Sequence, residues 1–295
     1  MKIEVEAKQL EIIKYAQGLA SKVVGGLVGG GTALITVNPV LGAVVGASLA
    51  HTLETIGKDV IERNLSARQQ LRVGRAIAIA YGKLKAFEQS GRLLRDDGFF
   101  STSSGGRSCG DEVTEATLLA AMSSAEERKV DFIASLLANV ATDASISSQT
   151  AHLLINQAER LSFRSFVLLN IASKIDQFEF GNRHEQAAPG SGLPDDLQGL
   201  ELEIYELIHS GLLVLSESSS PRSVIAVLGP DDVNPGLMRL TGLGRLLHAN
   251  LCLQEMEQGD DYQQVVSDLG RLSRSERVPH AVDGGSFPLV GEEVT

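Results

Sequence analysis

Residues 23–50 read VVGGLVGGGTALITVNPVLGAVVGASLA, 28 positions without a charge, with Lys22 before them and His51 and Glu54 after. A helix that crosses a bilayer needs roughly 20 apolar residues, so one crossing fits with margin. Asn38-Pro39 interrupts the run. Proline removes a backbone donor and turns the residue before it away from helical geometry. The run therefore reads either as one kinked span or as a helical hairpin. Each half would be only about 15 residues, short for a full crossing, so the hairpin would lie shallow or re-entrant. Gly25, Gly26, Gly29, Gly30 and Gly31 crowd the first half, and Gly42 and Gly46 sit one turn apart in the second. Glycine is a poor helix former in water. In lipid, small residues at four-residue spacing let helix backbones approach and self-associate. The competing reading is a glycine-rich core helix of a soluble bundle.

The charge around the run is lopsided. Residues 1–95 carry 13 Lys+Arg against 7 Asp+Glu, a net of +6, while the rest carry 13 against 30, which returns the total of -11. A basic front end enclosing an uncharged run suits a membrane-facing segment. The acidic total argues against a general nucleic-acid coat. Aromatic residues are 4% and Trp is absent, so the core must be aliphatic, and a core rich in Leu and Ala favours helices. Cys109 and Cys252 are the only cysteines and form neither a disulfide framework nor a metal motif. The first residues, MKIEVEAKQLEIIKYAQ, are too charged for a signal peptide.

Helical spacing of Leu10, Ile12, Ile13, Ala16 and Leu19 predicts a short helix over 1–20. Residues 52–95 read as one long basic helix carrying Arg68, Arg72, Arg75, Lys83, Lys85, Arg92 and Arg95. Placed just after the run, those cations suit lipid headgroups or the phosphates of a nucleotide or oligonucleotide. DDGFFSTSSGGRSCGDE, residues 96–112, breaks the pattern. Residues 112–178 form the best-patterned region. Two helices meet near Ser123-Ser124, with Ser124 suited to start the second and Ile133, Leu136, Leu137 and Val140 as its buried stripe. A turn over 143–148 and two further helices follow, meeting at Leu161-Ser162 with Ser162 as cap. Residues 197–272 give a helix ending at Gly211, strand-like LLVLS and SVIAVL, and a helix in LMRLTGLGRLLHANLCL. Helix, two-stranded wing, helix is a winged-helix order. Residues 273–295 read as a polar, flexible tail. The expected fold is mainly α: a membrane-active helical segment with its basic helix over 1–95, a helical bundle, and a small winged-helix-like α+β unit.

Glu126-Glu127, Leu136-Leu137-Ala138-Asn139 with Asp143, Leu161-Ser162, Gly211-Leu212-Leu213, and Leu240-Thr241 with Leu243-Gly244 follow one another along the chain. This order of short motifs resembles the abortive-infection alpha family of bacterial proteins over about residues 112–253. The resemblance implies bacterial phage defence through arrest or death of the infected cell, and brings no reaction or catalytic residue with it. The run at 23–50 is a departure from the family pattern.

No reaction chemistry emerges from the residues either. The six histidines lack metal-ligand spacing, and the glycines at 25–31 lack the Lys-Ser/Thr of a phosphate loop. The paired aspartates fall in loop-like contexts. We therefore expect no enzyme, metal or cofactor. The expected function is an oligomeric pore or channel at the bacterial inner membrane, or waiting in the cytoplasm. It would be held inactive until a partner protein, nucleotide or oligonucleotide triggers it. The alternative is a soluble winged-helix regulator or adaptor. Arg245 is the only Lys or Arg in the helices at 197–210 and 241–252, so sequence-specific duplex DNA is not an expected partner.

Overall fold

A computed structural model describes residues 47–101, 106–180, 191–192, 195–216, 233–274 and 278–279. The expected helix over 1–20 lies outside them, as do Gly25, Gly26, Gly29, Gly30, Gly31, Asn38, Pro39, Gly42 and Gly46, the strand-like SVIAVL and most of the tail. The described residues are mainly helical. None of their helices is long and apolar enough to cross a membrane.

The described residues fall into two compact units. One comprises those within 1–170 and 240–257, the other those within 171–239 and 258–295.

In the first unit, α1 (Ala47–Ile61) and α2 (Ala67–Gln89) replace the single long helix expected over 52–95. Asn64 takes a left-handed φ of 47° and ends the first helix. Ser66 starts the second through a capping box with Gln69. That Ser-x-x-Gln signal stands in the sequence itself. α3 (Cys109–Ser123) and α4 (Lys129–Thr142) follow. The expected start of α4 at Ser124 is also corrected. Ser124 closes α3, and the loop to Lys129 spends its charged side chains on other helices. α4 is the central helix, packed by α2, α3, α5 and α8. Ile133, Leu136, Leu137 and Val140 are fully buried in it, as expected, and Ala134, Ala138 and Ala141 let the neighbours come close.

α5 (Ser148–Arg160) is capped by Ser147. α6 (Phe163–Ser173) starts where expected, with Ser162 Oγ accepting from the Ser165 amide at 2.9 Å. Residues 240–257 return to this unit as α8 (Gly242–Asn250), capped by Thr241, and a 3-10 turn over Leu253–Glu255.

The second unit is built from the end of α6, a 3-10 turn over Ile175–Gln177, α7 (Asp195–His209), two small strand pairs and α9 (Asp260–Arg274). β1 (Ser191–Gly192) pairs antiparallel with β4 (Val278–Pro279), and β2 (Leu213–Leu215) pairs with β3 (Met238–Leu240). α7 ends at Gly211, whose φ of +72° needs a residue without Cβ. Met238–Leu240 is strand, not the first turn of the helix expected from residue 237. Thr241 in extended geometry caps the helix only from Gly242. α9 was not anticipated, although Tyr262, Val265, Leu269 and Leu272 give it a buried stripe at helical spacing.

Candidate functional site: the cationic face of α2

The expected anion-binding cations lie on α2 and the segment after it, and most already hold internal partners. Arg68 and Arg72 share Glu127, with Nε–Oε1 distances of 2.8 and 2.9 Å. Arg72 also donates to the Met122 carbonyl at 3.2 Å. Arg75 grips Asp131 with two bonds of 2.5 and 2.6 Å. Lys83 pairs with Glu255 at 2.6 Å. Lys85 is half-buried and makes no ion pair among the described residues. Beside this row, Arg63 and Arg107 converge on Glu115.

Burial pushes the Glu127 carboxyl up, but the hydrogen bonds from Arg68 and Arg72 outweigh it and leave it below the usual range. Glu115 follows the same logic, with burial opposed and overcome by Arg63 and Arg107. These carboxylates are therefore firmly ionised at neutral pH. An incoming anion must displace a carboxylate rather than settle into an open cluster. Arg68 is the most accessible competitor, with its side chain 71% exposed against 12% for Arg72.

Arg92 and Arg95 serve the C-terminal end of α4. Arg92 donates to Asn139 Oδ1 at 2.9 Å. Arg95 donates to the carbonyls of Val140 and Ile146 at 3.2 and 2.9 Å, pairs with Asp97, and lies over the Phe99 ring at 3.9 Å. Its side chain is only 3% exposed. These two arginines complete a helix end, where carbonyls lack helical partners.

The short motifs singled out in the sequence also lie at joints. Glu126 Oε2 accepts from the Phe163 amide at 2.7 Å and so caps α6. Asn139 Nδ2 faces the Ser135 and Asn250 carbonyls at 3.2 and 3.0 Å and Cys252 Sγ at 3.2 Å. Asp143 accepts from the Ser145 amide and hydroxyl, and Thr241 caps α8. Sequence reading did not single out Lys129. It is 4% exposed and donates to the Glu159 carbonyl at 2.9 Å and to that of Leu161. Burial lowers its pKa despite the opposing pull of Glu126 and Glu159. A lysine at the edge of the apolar run VDFIASLLANVA was the available signal.

Cys109 is exposed and Cys252 buried. Among the described residues no group of His, Cys, Asp and Glu could hold a metal ion. No protein-family model, curated protein or solved structure matches the chain.

Proposed function

We propose that the chain is a membrane-acting effector of bacterial anti-phage defence, of the abortive-infection kind. On this reading the glycine-rich run self-associates, and the oligomer opens a pore or ion channel in the inner membrane once triggered. Until then the chain waits inactive, at the membrane or in the cytoplasm. The observation that carries the reading is the uncharged run at 23–50, which leads directly into α1. Leu49, Leu53, Ile56 and Val60 bury α1 in the first unit, so the run is tied at its end to a packed helical body. The trigger would be a partner protein, or a nucleotide or oligonucleotide competing for the arginines of α2. Dye release from anionic vesicles, with and without Gly42→Leu and Gly46→Leu together, tests the reading. Leakage by the full chain that the double substitution abolishes is the expected result. A chain that stays wholly in the soluble fraction of infected cells and leaves vesicles sealed overturns it.

A second reading, a soluble winged-helix regulator or adaptor, is favoured by one observation. The order α7, paired β2 and β3, α8 follows that of a winged helix. A salt-dependent shift of duplex DNA would favour it over the first.

A further inference from the structure

The loop between α3 and α4 carries Glu126, Glu127 and Arg128 and leads into Lys129; Glu127 reaches α2, and the other three side chains reach the junction of α5 and α6. Glu127 is held by Arg68 and Arg72 of α2. Glu126 accepts from the first amide of α6, at Phe163. Lys129 donates to the Glu159 carbonyl in the last turn of α5 and to that of Leu161, the residue that caps its end. The Arg128 guanidinium lies 4.1 Å from the centre of the Phe163 ring. A carboxylate at a helix N-terminus and an ammonium at a helix C-terminus each meet the end of the helix dipole they suit. One loop thus holds both sides of the α5–α6 elbow at Leu161-Ser162 with opposite charges. Its own backbone is tightly turned, with Lys129 N donating to Glu126 O at 3.0 Å and Val130 N to Glu127 O at 3.3 Å. These bonds tie the backbone at Glu127 to that of Glu126 and Lys129, so a shift of the one is passed to the others.

We propose that residues 124–129 are a coupling joint through which a disturbance of the arginines of α2 reaches the α5–α6 elbow. α6 is the helix along which the chain passes from the first compact unit into the second. The joint gives the effector reading above a route from its cationic face to the rest of the chain, and it stands on that reading only for its purpose. Glu127 is the positioning residue, and Glu126 and Lys129 are the two outputs.

Hydrogen exchange of the full chain, without membranes, tests the joint independently of any pore. Arg68→Ala with Arg72→Ala should speed exchange over 159–166 by about tenfold, the scale of one lost charge-assisted bond. Exchange over α8 should stay unchanged. Coupling is reciprocal, so Glu126→Gln should in turn speed exchange over the first turns of α2. Elbow exchange that stays within about twofold of the parent overturns the proposal. So does a uniform rise across all helices, or a Glu126→Gln effect confined to α6. Because the readout needs no membrane, a failed vesicle assay would leave this result standing, and the reverse.

Discussion

Replacing Asn139 by alanine should cost the first unit about 3 kcal/mol, a figure built from its bonds. Its two amide hydrogens serve the Ser135 and Asn250 carbonyls, and Cys252 Sγ competes as a weak third acceptor. Its oxygen takes the Arg92 guanidinium at 2.9 Å. Two neutral bonds contribute about 0.75 kcal/mol each, and the charged one about 1.5 at the low end, because Arg92 is only half-buried. Asn139 itself is 6% exposed, so water does not readily take over its partners. Urea unfolding followed by helical circular dichroism is the assay. With a slope near 2 kcal/mol/M, the midpoint should fall by about 1.5 M. Asn139→Asp is the informative companion. It offers Arg92 a full charge but faces the Asn250 carbonyl with an acceptor, so it should be no more stable than the alanine variant. A loss below about 1 kcal/mol for alanine, or an aspartate variant as stable as the parent, refutes the view of Asn139 as the tie between α4 and the end of α8.

Acid should weaken the first unit through Glu115 and Glu127. Both carboxyls lie below the usual 4.5 in the folded chain, so they stabilise it fully above that value and progressively less as the pH falls through the lowered ones. Urea midpoints that hold steady from pH 6 to pH 3 would contradict the pairing. Gly110→Ala would drive its Cβ into the Phe100 ring. The crowding costs about 1–3 kcal/mol, and alanine's better helix propensity returns about 1, so a net loss near 1 kcal/mol is expected. A higher melting temperature would show that Phe100 does not pack on α3 in solution.

Much of the helical architecture was legible because its signals are local. Ile133, Leu136, Leu137 and Val140 repeat at helical spacing, Ser162 caps the helix it precedes, and Gly211 ends another. The break at Asn64 to Ser66 was equally local, but apolar residues on both sides masked it. The stripe of α9 is equally local, but its polar composition hides it. The strand at Met238–Leu240 was not legible as such. Three residues carry too little periodicity to separate strand from helix, and pairing with Leu213–Leu215 decided it.

By itself the sequence determined that the described part of this chain would be helical and aliphatic-cored, that its charge would be split, and that an uncharged glycine-rich run would precede it. Spacing, caps and composition act within a few residues, so no partner is needed to read them. Only the tertiary structure decided what the charges do. Arg68 and Arg72 meet Glu127 across 59 and 55 residues, Asn139 meets Asn250 across 111, and residues 240–257 return to the first unit. An ion pair or a buried amide takes whatever partner folding brings within about 3 Å, and sequence spacing carries no record of that choice. The basic stretch that looked like an open anion site is for that reason mostly a row of paired arginines, two of them held by Glu127.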